Sequence, residues 1–345
     1  MKKKQLIAAA MAAVMAAGAL TACGSGSKET GSAGEIGKES AAKTGEGKAV
    51  LSVTTWDNES TPQFSAIIDA YEAKNPDVEI KVIDTSADEY NNSVGISLSA
   101  AQPDPDVIWV KDMGALLQMA DKEQLLPLDD FIKKDNLDLS VYKGAAEQLR
   151  YNDISYSLPY RNDWYVLYYN KDLFDAAGVE YPSNDMTWDE YYDLAARLTS
   201  GEGGSKVYGS HHHTWQALVT NWAVQDGKHT VVETDYDFLK PWYENTLKLQ
   251  DNGYIQDYST LKTANIHYIS VFKNQQCAMM PMGTWFIATM MQSQAEGETD
   301  FRWGVAAIPH PSDTEAGYTV GALTPITISR FSDQPELAWD FVKFA

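Results

Sequence analysis

The chain has 345 residues and a formal net charge of −21, from 27 Lys and Arg against 48 Asp and Glu. So acidic a surface excludes a nucleic-acid partner, because binding the phosphate backbone needs a basic stripe. Two cysteines exclude a disulfide framework, and the length is too great for a single hydrophobic core and suits two lobes.

The first segment is an export signal. Lys2, Lys3 and Lys4 make a positive start, an Ala-rich run follows from Leu6 to Leu20, and Leu20-Thr21-Ala22-Cys23 closes it. The apolar run is too short for a comfortable membrane span. Small residues before a Cys look like a bacterial lipobox, so residues 1–22 are expected to be a lipoprotein signal peptide. Cys23 is expected to carry palmitate-type acylation as the mature N-terminus. The simpler alternatives are a plain secretory signal with an incidental Cys, or a tail-less membrane anchor. Residues 23–48 are rich in Gly, Ser, Lys and Glu and are expected to form a flexible tether. The expected location is the extracytoplasmic face of the cell membrane.

Ordered structure is expected from about Val50. Leu51 to Trp56 alternates as a strand does, and Pro62 to Lys74 sets Phe64, Ile67, Ile68 and Tyr71 on one helical face, stopped by Asn75-Pro76. A strand over Val78–Ile83, a helix over Tyr90–Ala101 and a strand over Asp106–Val110 complete an α/β lobe with a mainly parallel sheet. Tyr151 to Ile154 reads as a turn between short strands, leading to Leu158-Pro159-Tyr160, and Tyr165 to Tyr169 as a separate strand. Asn170 to Gly178 reads as a helix with a left-handed Gly at its end. Thr187-Trp188-Asp189-Glu190 is a capping box opening a helix to about Leu198. Helices near residues 214–225, 236–250 and 265–274, with strands at Met279–Met282 and Trp303–Ile308, fill a second lobe. Pro335 to Ala345 reads as a helix that stops without a cap, so the native C-terminus is expected to lie beyond it.

Catalytic motifs are missing: there is no G-x-S-x-G and no H-E-x-x-H. Gly201 to Lys206 lacks the G-K-[ST] ending of a phosphate loop and reads as a surface turn. Adjacent side chains diverge, so His211-His212-His213 makes a poor metal site and reads as a polar turn near the cleft. Asp104/Asp106 and Asp129/Asp130 could be imagined as glycosidase carboxylates, but Asp129-Asp130 is more easily a helix N-cap. Cys277 reads as a small core residue. No cofactor or metal is called for. Ten Trp and nineteen Tyr are many for this length, and several follow strand ends beside acids and amides, where α/β sheets bind ligands. A flat aromatic face beside hydrogen-bonding groups suits a sugar.

Several fragments recur in order: Pro105 to Val110, Leu125 to Asp129, Tyr168-Tyr169-Asn170-Lys171-Asp172-Leu173-Phe174 with Ala177-Gly178, Thr187 to Glu190, Ala278 to Trp285, and Ala338 to Phe344. Together they resemble the family 1 extracellular solute-binding proteins of carbohydrate ABC importers. That resemblance implies an α/β, two-lobe periplasmic-binding-protein-like fold with hinge strands and a central cleft, here C-terminally truncated. Residues 49–158 and 312–345 would form an incomplete lobe 1, and residues 159–311 lobe 2 with hinge segments. The resemblance places Trp56, Asp57, Lys111, Asp112, Tyr160, Asp163, Trp222, Trp285 and Gly321 in the cleft. It implies a monomeric, non-enzymatic receptor that captures a carbohydrate, an oligosaccharide by the number of aromatic platforms. Its partners would be permease subunits in the membrane, reached through the lipid anchor at Cys23. The rival readings are a surface glycoside hydrolase and a binding protein for a non-sugar ligand.

Overall fold

The computed structural model describes residues 47–215 and 217–345. The leader, the lipidation at Cys23 and nearly all of the 23–48 tether lie outside the described residues. Within them, β1 (Ala49–Trp56) buries every residue from Leu51 onward, because apolar groups pack on both of its faces. Helix α1 (Pro62–Lys74) opens on a proline, whose missing N–H costs nothing in a first turn. It buries Phe64, Ile68 and Tyr71 and ends where the Asn75 N–H bonds back to the Tyr71 carbonyl. Next come β2 (Val78–Thr85), α2 (Tyr90–Ser99), β3 (Val107–Trp109) and α3 (Met113–Asp121), with β1 paired in parallel to both β2 and β3. Short helices α4 (Asp129–Lys134) and α5 (Ala145–Gln148) precede a hairpin of β4 (Arg150–Tyr151) and β5 (Ile154–Ser155). Its turn residues Asn152 and Asp153 both take positive φ, as a two-residue hairpin loop demands.

The long strand β6 (Ser157–Asn170) then runs through the middle of the molecule. Beyond it lie α6 (Lys171–Ala177), α7 (Trp188–Leu198), β7 (Tyr208–Ser210), α8 (Ala217–Ala223), α9 (Lys240–Asp251), α10 (Tyr258–Thr263) and α11 (Tyr268–Lys273). The chain closes with β8 (Cys277–Gly283), α12 (Phe286–Ala295), β9 (Trp303–Ala307), β10 (Gly321–Ile328) and α13 (Pro335–Phe344). The strands join in the order β2-β1-β3-β10-β6-β8-β7, with β9 also on β6. Residues 157–164 of β6 pair with β10, and residues 165–170 pair with β8 and β9. One core, around Leu51, Trp109, Leu158, Ile326 and Phe341, lies on the first side of that change of partner. On the other side the alternation of β6 feeds two cores, Leu167 joining Met279 on one face and Tyr168 joining Met280 and Met282 on the other.

Several expectations need correction. The two strands expected around Tyr160 and Tyr165 are one, because the polar Arg161-Asn162-Asp163 insert is strand rather than loop. Its backbone is paired to β10, and the register slips between Thr324 and Pro325, opposite Pro159, where prolines cannot donate to a ladder. The first lobe's sheet is parallel only across β2-β1-β3, with β10 and β6 antiparallel. Asp129 and Asp130 occupy the first turn of α4 rather than its N-cap, which is Leu128. There they still complement the helix dipole, and Asp129 accepts from the Ser155 N–H at 3.0 Å. The three histidines, expected as a polar turn near the cleft, are buried. Cys277 is a fully buried free thiol.

Candidate functional site

The change of partner on β6 positions a cleft. Period-two alternation sends Arg161, Asp163 and Tyr165 to one face of the strand, and Ala322 and Thr324 of β10 line the same floor. The first lobe adds Trp56 and Asp57 from the end of β1, Ser60, Thr61 and Gln63 from the turn into α1, and Lys111 and Asp112 after β3. The opposite wall is aromatic: Trp215, His267, Tyr268 and Trp285, with Ile269 and Thr289. The cleft holds about 370 Å³, within the usual size of small-molecule sites.

Each side chain has a local reason to be where it is. Asp57 takes a left-handed conformation at φ 47°, which Asp tolerates better than most residues, and its Oδ1 accepts from the Ala87 N–H at 2.9 Å. Asp112 caps α3 through the Ala115 N–H at 2.8 Å and also accepts from Asn91. Lys111 donates to the Ala87 carbonyl, and its burial holds the ammonium below the usual lysine range despite Asp57, Asp88 and Asp112 nearby. Trp285 folds back over Gly283, where a Cβ would stand 2.0 Å from the ring. The indole donates to the Tyr268 hydroxyl at 3.2 Å and meets the Tyr165 ring edge-on at 5.5 Å.

Arg161 and Asp163 form the charged centre of the floor. Arg161 Nε lies 2.6 Å from Asp163 Oδ2, yet the contact is not aligned as a hydrogen bond. Oδ2, Nε and Nη1 therefore keep bonding capacity while buried. Burial raises the Asp163 carboxyl above its ordinary range, against the lowering effect of Arg161 and Thr284. Oδ1 is satisfied by Thr284 Oγ1 at 2.8 Å, and the Thr284 N–H donates to the Trp164 carbonyl at 3.0 Å. A second tie crosses the cleft mouth, from Thr289 Oγ1 to the Ser60 carbonyl at 2.9 Å.

Of the residues expected in the cleft, Trp56, Asp57, Lys111, Asp112, Asp163 and Trp285 line it. Tyr160, Trp222 and Gly321 do not. Tyr160 falls on the other face of β6 and packs against Phe64 and Trp109. Trp222 is 2% exposed and packs tilted against Trp188 at 4.7 Å, behind Tyr165. Gly321 stays exposed at the start of β10, one residue before the lining position. Sequence reasoning missed Tyr165, Trp215, His267 and Tyr268 as lining groups. The 163/165 spacing could have found the first, but nothing local marks the others. Among the described residues no group of three or more His, Cys, Asp or Glu is arranged to hold a metal ion.

Two α/β lobes sharing one strand around an interlobe cleft are the architecture of ligand-capturing binding proteins. The bacterial extracellular solute-binding protein family matches residues 57–345, and the chain belongs to that family. It is 38% identical to a sugar transporter from Rhizobium etli in an open conformation, with a TM-score of 0.66, covering 86% of this chain and 76% of that one. An ABC substrate-binding protein from Listeria monocytogenes in complex with cycloalternan is 25% identical, with a TM-score of 0.73, covering 86% and 75%. The sn-glycerol-3-phosphate-binding periplasmic protein UgpB of Escherichia coli K12 is 25% identical over 295 residues, 79% of this chain and 64% of that protein. The chain thus spans less than two thirds of the length of the curated relatives it matches. The family is one of binding proteins and not of enzymes.

Proposed function

We propose that the chain is the extracytoplasmic substrate-binding lipoprotein of an ABC importer, capturing a neutral oligosaccharide by closure of its two lobes and passing it to a membrane permease. The observation that carries this reading is the division of the cleft into an aromatic wall and a floor of under-bonded charged groups. Sugar rings would stack their C–H faces on Trp215, Tyr268 and Trp285. Their hydroxyls would donate to Asp163 and accept from Arg161 and Lys111, as charge-assisted bonds. Four aromatic faces, counting Tyr165, exceed what one ring uses. The relatives from Rhizobium and Listeria support a carbohydrate. Residues 49–158 and 312–345 would close on residues 159–311, bending where β6 changes partner. Cys23 would carry the lipid anchor that keeps the receptor beside its permease.

The glycerol phosphate bound by UgpB is the competing ligand class. The charges in this cleft disfavour it: the Arg161 charge is offset by Asp163, which leaves Lys111 against Asp57 and Asp112. The deciding experiment is thermal unfolding against neutral oligosaccharides and sn-glycerol 3-phosphate. A ligand at a hundredfold excess over its dissociation constant adds about 2.7 kcal/mol to the folded state. Stabilisation by intact sugar and none by the phosphate is expected; the reverse pattern sinks the reading, and sugar cleavage during the assay restores the hydrolase.

A further inference from the structure

Behind the aromatic wall lies a cluster that sugar binding does not use. His211, His212 and His213 follow β7 and are respectively 1%, 8% and 9% exposed. Alternation turns His212 toward α7, where its Nε2 meets the Tyr191 hydroxyl at 2.9 Å. His211 and His213 turn the other way, their rings 5.8 Å apart between centroids. His213 in turn touches His267 at 5.3 Å, Tyr268 at 5.2 Å and, edge to face, Trp215 at 4.7 Å. The backbone here is tied to the sheet from the His211 N–H to the Met279 carbonyl at 3.0 Å. Among the described residues, neither ring nitrogen of His211, nor Nδ1 of His213, has a hydrogen-bond partner.

A buried neutral imidazole with an unbonded nitrogen is a modest cost. A cation in the same place, with an N–H unbonded and no carboxylate beside it, is a large one. The surroundings offer no such carboxylate to the buried pair. Facing the cluster are Ser210 on its own segment, Tyr191 of α7, Lys262 of α10, His267 and Tyr268 at the start of α11, and Cys277 of β8. Asp57, Asp88 and Lys111 act from across the cleft on His267.

We propose that His211 and His213 are positioning residues for the aromatic wall, supporting Trp215, His267 and Tyr268 only while their own imidazoles are neutral, so that acid loosens this wall before the rest of the protein unfolds. Tyr268 holds the Trp285 indole, so the disturbance reaches all three stacking faces. Burial is the main cause that lowers every one of these histidines, His212 to about 4 and His213 to about 3. The unfolded chain takes up protons near pH ~6.5. Between that value and the depressed folded values the unfolded or loosened form binds more protons, so the structure weakens as pH falls through this window and is firm above it.

The test reads the ligand-free protein from pH 8 to pH 3 by near-ultraviolet circular dichroism and tryptophan emission, with the far-ultraviolet signal recorded alongside. The expected result is a loss of near-ultraviolet signal between pH ~6.5 and ~4 while the far-ultraviolet signal holds. His213→Phe, which keeps an aromatic ring but cannot be protonated, moves that transition to lower pH or removes it. Simultaneous loss of both signals, or a variant that titrates as the parent does, overturns the proposal. Should His213→Phe fail to fold, NMR of the parent decides: the Trp215 indole N–H moves together with the histidine titration, and an unmoved indole is fatal. Because no sugar is present, failure here leaves the carbohydrate reading standing, and absence of sugar binding at neutral pH touches only that reading.

Discussion

Asp163 shows how much one carboxylate is asked to do. It pairs with Arg161, accepts from Thr284 at the end of β8 and keeps one oxygen under-bonded in the cleft. Asp163→Ala would strand a largely buried guanidinium, so a stability loss of about 3 kcal/mol is expected in chemical unfolding. Sugar affinity should fall by roughly thirtyfold, the worth of about 2 kcal/mol in hydrogen bonds to a charged group. A variant as stable as the parent would show that the pair is not strongly coupled. Gly283 works by what it lacks. An added Cβ collides with the Trp285 ring, so Gly283→Ala should push the indole off its seat. Tryptophan emission and sugar binding should both change, and unchanged emission would argue that the ring relaxes locally. Asp163 was visible in the sequence as an acid beside an aromatic cluster. The pairing of Arg161 with Asp163 was not legible, because it depends on strand alternation that a polar insert conceals.

At the scale of elements, the parts legible in the sequence are those whose signals are local. Helix α1 runs from its proline to the residue before Asn75 as its pattern indicates. Helix α6 starts after Asn170, whose side chain accepts from Asp172 and Leu173 N–H groups, and stops at Gly178 with φ 64°. The capping box at Thr187 and Glu190 is made in both directions. Thr187→Ala should therefore cost about 1 kcal/mol, seen as a lower melting temperature with sugar affinity unchanged; an equal melting temperature would mean that packing of Trp188 alone sets the helix start. The parts that were hidden carry weak or conflicting local signals. Helix α12 follows a strand with no side-chain cap, and β10 opens on glycine and carries Pro325 in its middle. Strand β7 is only three residues long, and the sheet rather than its own sequence makes it a strand.

The proposed closure belongs to the whole molecule. The tie from Thr289 on α12 to the Ser60 carbonyl spans the cleft mouth without involving the floor. Thr289→Val keeps the shape and removes the donor, so the ligand-free protein should shift toward open forms. A larger radius of gyration in solution scattering and a few-fold loss in sugar affinity are the expected signs, since affinity scales with the fraction of closed molecules. Scattering identical to the parent would assign closure to the floor contacts alone. By itself the sequence determined the α/β class, the two-lobe family likeness, the acidic surface and those helices whose caps and breakers sit within a few residues of one another, because these depend on composition and short-range periodicity. Only the tertiary structure decided that β6 is one strand whose two halves take different partners, that Trp222 and Tyr160 are core while Trp215 and Tyr268 face the cleft, and that the histidines are buried. Those facts depend on which face of an element meets which neighbour, and that is set by pairing between residues as far apart in the chain as Asp163 and Thr284.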